Sequence, residues 1–121
     1  MKIEWEEHRS GTVMRVTGEL VADATDALRR ESTERLTTSP RLVLDLRALE
    51  RVDSAGLEAL LWLSEEVMRR GGQFRIVRGG GQPAAAMQAT RIDRRMAMHA
   101  TLESAARSLS RGHHSAREAA A

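Results

Sequence analysis

Residues 42–46 read Leu42-Val43-Leu44-Asp45-Leu46. A run this nearly continuous in apolar residues leaves no face for water, so it calls for a short central strand covered on both sides. Pro40 ends the loop before it, and residues 47–53 read as a connection. From Ser54 to Arg70 the positions Leu57, Leu60, Leu61, Ser64, Val67 and Met68 recur at helical spacing. Arg69 and Arg70 suit the negative end of that helix's dipole, and Gly71-Gly72 supplies a left-handed exit. Phe74, Ile76 and Arg78 then alternate with Arg75 and Val77, as in a further strand. A strand, a helix and a strand in this order make a parallel pair with a right-handed crossover. The chain is therefore expected to be an α/β protein.

The flanking segments extend the sheet. Ile3, Trp5 and Glu7 alternate with Glu4, Glu6 and His8, and beyond Ser10-Gly11 a second run from Thr12 to Thr17 sets Val13, Arg15 and Thr17 against Met14 and Val16, giving two hairpin-linked strands. Gly18-Glu19-Leu20 closes the second of them. Asp23 is then a suitable N-cap for a helix reaching about Leu36, with Ala24, Ala27 and Leu28 on one side. After the turn Gly79-Gly80-Gly81 come Pro83 and an alanine-rich helix to about Thr90. Met96 to His99 reads as a short edge strand, and Thr101 to Ser110 reads as a closing helix with Leu102, Ala105, Ala106 and Leu109 on one face. The expected architecture is a mixed sheet of four to five strands with its helices mainly on one face, in one domain over 1–110. Residues 111–121 show no core-forming period, and a mobile, disordered tail is expected there.

Several function classes drop out on composition. The chain has 121 residues, enough for one domain with its own core. Its isoelectric point near 10.3 suggests nucleic acid, but 19 basic against 17 acidic residues leave a formal charge of only +2. The arginine pairs Arg29-Arg30, Arg69-Arg70 and Arg94-Arg95 are scattered among carboxylates, not gathered into a patch, so no nucleic-acid partner is expected. Zero cysteines remove thiol nucleophiles and thiolate metal sites. No stretch approaches the roughly 20 apolar residues of a membrane span, so a cytoplasmic protein without membrane insertion is expected. His8, His99, His113 and His114 have no metal-ligand spacing, and Gly79-Gly80-Gly81 lacks the Lys-Ser/Thr ending of a nucleotide loop. Ser54 lacks the glycine two residues earlier that a nucleophile elbow needs, Val52 standing there. The expectation is binding, not catalysis, with no cofactor and no metal.

The candidate working point is the turn Asp53-Ser54-Ala55-Gly56. A helix start exposes unpaired N–H groups and a positive dipole end, so a phosphate on Ser54 could be held there, or could break a docked complex through repulsion beside Asp53. The same residues also read simply as a cap. Steps of four residues put Ser54, Glu58 and Trp62 on one stripe, with Glu65, Glu66 and Arg69 around the indole. That reads as an aromatic anchor on a polar surface, the other reading being a core residue beneath a loop or the last helix.

In order, Gly18-Glu19-Leu20, Leu42-Val43-Leu44-Asp45-Leu46, Val52-Asp53-Ser54-Ala55-Gly56-Leu57 and Gly71-Gly72 resemble the STAS domains over about residues 3–110. That family includes bacterial anti-sigma-factor antagonists, stressosome components and small subunits of lipid-transport ABC complexes. The resemblance implies a phosphoacceptor at Ser54; the turn is expected to be shaped by Asp53, Ala55 and Gly56, and partner contacts are expected along the Glu58-Trp62 stripe and at Asp23, the carboxylate nearest the family's aspartate position. It implies a protein partner that is both serine kinase and anti-sigma factor, released by phosphorylation and regained through a phosphatase. The alternative it leaves is an unphosphorylated subunit or scaffold of an ABC-type lipid transporter or a larger signalling assembly. Two departures stand out: Val21 follows Gly-Glu-Leu where many members carry an aspartate, and Arg91, Arg94 and Arg95 replace more apolar residues.

Overall fold

The computed structural model describes residues 1–109; the expected tail over 111–121 lies outside them. Strands β1 (Lys2–His8) and β2 (Gly11–Leu20) form an antiparallel hairpin. Three parallel pairings follow: β2 with β3 (Arg41–Asp45), β3 with β5 (Gln73–Val77), and β5 with β6 (Ala97–His99). The sheet order is β1-β2-β3-β5-β6, and β4 (Leu49–Val52) pairs in parallel with the far end of β2. Helix α1 (Ala22–Arg35) connects β2 to β3, α2 (Ser54–Arg69) connects β4 to β5, and α3 (Gly81–Ala89) leads through a 3₁₀ turn, Ile92–Arg94, to β6. A last helix, α4, covers 102–109.

The pleat explains why β3 is apolar throughout. Leu42 and Leu44 join the main core with Met14, Val16 and Ile76, together with Leu28 of α1 and Leu57, Leu60, Leu63 and Val67 of α2. Val43 points the other way, into a smaller cluster with Val13, Val77, Ala105 and Leu109. So α4 covers part of the second face, and the helices lie mainly on the first. Burying each such aliphatic side chain stabilises the fold by about 1.5–3 kcal/mol.

The sheet has six strands, one more than the upper expectation, because the presumed connection at 47–53 contains β4. Only Leu49 and Val52 of its four residues are buried. Asp23 does not cap α1: the N-cap is Val21, with no side-chain cap of its own, and Asp23 sits exposed in the first turn. The exit of α2 is as expected. Gly71 takes φ +76°, its N–H donates to Met68 O and that of Gly72 donates to Val67 O, which together satisfy two of the terminal carbonyls.

The faces of α2 differ from expectation at two places, Met68 and Glu66. Met68, expected on the apolar face, is 62% exposed. Glu66, expected on the polar face, is buried, its carboxylate held by Arg69 and Arg70. Trp62 is half-buried and packs against the main core. Helix α2 contacts both the sheet and α1, so its buried arc is wide enough to take in Glu66 and Trp62.

Candidate functional site

The parallel strands end at one pole of the sheet, where α1, α2 and α3 begin. The turn 53–56 lies there, between β4 and α2. Asp53 has extended backbone geometry and caps α2, its Oδ1 accepting from Gly56 N–H at 2.8 Å. Its Oδ2 accepts from Ala22 N–H, the first residue of α1, at 3.0 Å. One carboxylate therefore caps two helices. The Gly56 N–H, and then that of Ala22, hold its pKa below the usual carboxylate range, so Asp53 is ionised at neutral pH.

Gly56 is buried, and the space a Cβ would need is filled by Leu20 O and Val52 Cγ2. A glycine here lets α2 start against the end of β2, which fixes the turn. Ala55 is half-buried. Ser54, the first helical residue, is exposed, and its hydroxyl has no hydrogen-bond partner among the described residues. Glu58 is exposed one turn further on and Asp23 is exposed at the start of α1. The Ala22–Asp53 hydrogen bond thus brings Asp23 to the same pole as Ser54. Trp62 lies two turns away, half-buried and packed against the core, as in the second of its two readings.

Two supports of this pole give no signal in the sequence. The Gln82 carboxamide, at the start of α3, accepts from Val52 N–H at 2.8 Å and donates to Val52 O at 2.8 Å, standing in for a neighbouring strand directly before the turn. Asp45, 1% exposed at the end of β3, meets Arg47 at 2.8 Å and Arg15 at 3.1 Å. Burial alone would raise its pKa; the Arg47 side chain and N–H, with Arg15, outweigh this and hold it low. Among the described residues no cluster of three or more His, Cys, Asp or Glu is placed to hold a metal. Nor is any helix long and apolar enough to cross a membrane.

The model of the STAS domain family matches residues 2–105. The chain belongs to the STAS domain family. An anti-sigma F factor antagonist of Paenibacillus polymyxa is 30% identical over 78 residues, 63% of this chain and 67% of that one. The crystal structure of an anti-sigma factor antagonist from Mycobacterium paratuberculosis matches with a TM-score of 0.80 at 27% identity, over 90% of this STAS domain and 93% of that chain. The anti-sigma factor antagonist SpoIIAA in its unphosphorylated form matches with a TM-score of 0.65 at 20% identity, over 92% and 99%, a likeness of fold alone. As a STAS domain the chain is a binding module, not an enzyme.

Proposed function

We propose that this STAS domain is an anti-sigma factor antagonist whose complex with a kinase-type anti-sigma factor is governed by phosphorylation of Ser54. The observation that carries the reading is the exposed, unengaged Ser54 hydroxyl at the start of α2, beside the ionised Asp53. A phosphate there adds about −1.5 to −2 charges at neutral pH. Asp53 already occupies the Gly56 N–H that would help to hold a phosphate, so the new charge meets a carboxylate in the place of a free donor. Glu58, one turn along, adds to the repulsion. A surface matched to the neutral serine is then mismatched to the phosphoserine by charge and by volume. Asp23 and Glu58 are the exposed flanking contacts, and a phosphatase completes the cycle. The relatives named antagonists support the partner class.

The test is incubation of the protein with ATP and each serine kinase encoded by its own genome, followed by peptide mass spectrometry. One phosphate on Ser54, absent from Ser54→Ala, is expected, with Ser54→Asp losing the kinase in pull-down. No modification by any of them overturns the reading. Co-purification with an ABC-type ATPase, unchanged by Ser54→Asp, would make the domain a transporter subunit instead.

A further inference from the structure

At the opposite pole, where the parallel strands begin, helices α1, α2 and α3 all end. Arg35 closes α1, Arg69 closes α2 with Arg70 as its cap, and Arg91, Arg94 and Arg95 follow α3. Arg41 opens β3, and Arg9 stands in the β1–β2 turn at the same end. The carboxylates beside them are Glu7, Glu34, Glu66 and Asp93, so the arginines outnumber them about two to one. At the Ser54 pole the balance is reversed: Glu19, Asp23, Glu50, Asp53 and Glu58 outnumber Arg51 and Arg78, and Arg47 is paired with Asp45. The formal charge of +2 therefore conceals an acidic end and a basic one. We propose that the basic pole is a docking surface for the anionic headgroups of a phospholipid bilayer.

Helix polarity explains only part of this distribution. A guanidinium in a last turn is favoured by the negative end of the dipole, which accounts for Arg35, Arg69 and Arg70. The segment after α3 is different. Ile92 and Met96 are buried in the main core, and this anchors the connection with Arg91, Arg94 and Arg95 all exposed. Arg91 takes a left-handed φ of +62° directly after the C-cap Thr90, where glycine is the usual residue. An exposed arginine is thus kept where the backbone favours another residue. Arg9, Arg91, Arg94 and Arg95 form no ion pair or side-chain hydrogen bond among the described residues. Of the carboxylates, Glu66 is shared between Arg69 and Arg70, and Glu7 accepts from Thr12 Oγ1 at 2.9 Å. Three helix C-termini, each worth about half a negative charge, offset less than half of the cationic excess.

The arrangement suits a bilayer better than a nucleic acid. The charges spread across the end of the sheet, where β1 and β6 stand four strand spacings or about 19 Å apart, and do not line a groove. Met68, 62% exposed, stands beside Arg69 in the last turn of α2. A membrane interface takes up an apolar side chain next to its anionic headgroups, whereas a phosphodiester backbone has no use for one. A domain docked by this pole holds its parallel strands upright and turns Ser54 away from the lipid, so a protein partner and the bilayer can be bound together.

The test is co-sedimentation of the full chain with vesicles of phosphatidylcholine containing about one third phosphatidylglycerol, against vesicles of phosphatidylcholine alone and against duplex DNA. Binding to the anionic vesicles is expected, weakening steeply as salt is raised. Arg94→Glu/Arg95→Glu should lower the partition coefficient at least about tenfold. Arg51→Glu/Arg78→Glu makes the same change of charge at the Ser54 pole and should leave it within about twofold. Met68→Ser should weaken vesicle binding as well. No binding to anionic vesicles at low salt, equal binding to neutral ones, or an equal loss in the two double variants overturns the proposal. So does binding of duplex DNA without binding of vesicles, which would make the pole a nucleic-acid surface. If the first double variant does not fold, Arg94→Gln/Arg95→Gln decides in the same way.

Discussion

Two residues set the geometry of the Ser54 turn, and each has a test. Gly56→Ala would drive a methyl group into Leu20 O and Val52 Cγ2, so β2, β4 or α2 must move. Overpacking of this kind costs about 1–3 kcal/mol, and an unfolding free energy from urea titration lowered by about that amount is expected; an unchanged value would mean the turn yields freely. Asp53 is tested by pH. Its folded pKa lies below the unfolded value, so its contribution is complete above about pH 4 and disappears as pH falls through the folded value. Urea titrations down this range should show wild-type losing stability more steeply than Asp53→Asn. Identical slopes would show that the double cap does not depend on the charge.

At the scale of elements, Trp62 and Gln82 make the clearest predictions. Because Trp62 packs half-buried against the core, Trp62→Ala should cost about 1–3 kcal/mol of stability. It is therefore a poor probe of partner binding, whereas the exposed Glu58 is a good one. Gln82→Ala leaves Val52 N–H and C=O without their partner, and faster hydrogen exchange at the Val52 amide is expected with a loss of about 1–2 kcal/mol. These elements also mark how far the sequence can be read. The β3–α2–β5 unit was legible because its apolar periods are long and its glycine exit is unambiguous. Strand β4 was not, since two buried residues in four do not make a pattern; its existence depends on β2 and on Gln82, which are distant in sequence. Asp23 was a reasonable cap by local rules, but the carboxylate that caps α1 comes from 31 residues away. The Ser54 turn could be located from its motif, while the supports on either side of it could not.

For the whole molecule, the second face of the sheet depends on how α4 is held. Its apolar contacts are supplemented by His99, whose Nδ1 meets Ser104 Oγ at 2.8 Å and whose Nε2 meets Ser108 Oγ at 3.3 Å; Ser108 also accepts from Arg75 Nε. Burial, and then the nearby Arg75 charge, push the His99 pKa below its ordinary value. The neutral ring's contribution is then complete above about pH 6.5 and is lost as pH falls through the lowered value. Protection factors of the amides in 102–109, taken relative to the intrinsic rate at each pH, should therefore fall on acidification, and less so in His99→Gln. Equal pH dependence in the two proteins would remove His99 from that role. The outer edge of the sheet carries a different consequence. β1 offers seven residues of strand with nothing paired on its far side among the described residues, the usual starting point for fibrils. Lys2, Glu4, Glu6 and Glu7 stand exposed along it, three carboxylates to one ammonium, so a second copy laid against it antiparallel in the register centred on Trp5 would set Glu4 against Glu6 twice. The charges that make β1 look unremarkable as a strand are what keep it from recruiting another.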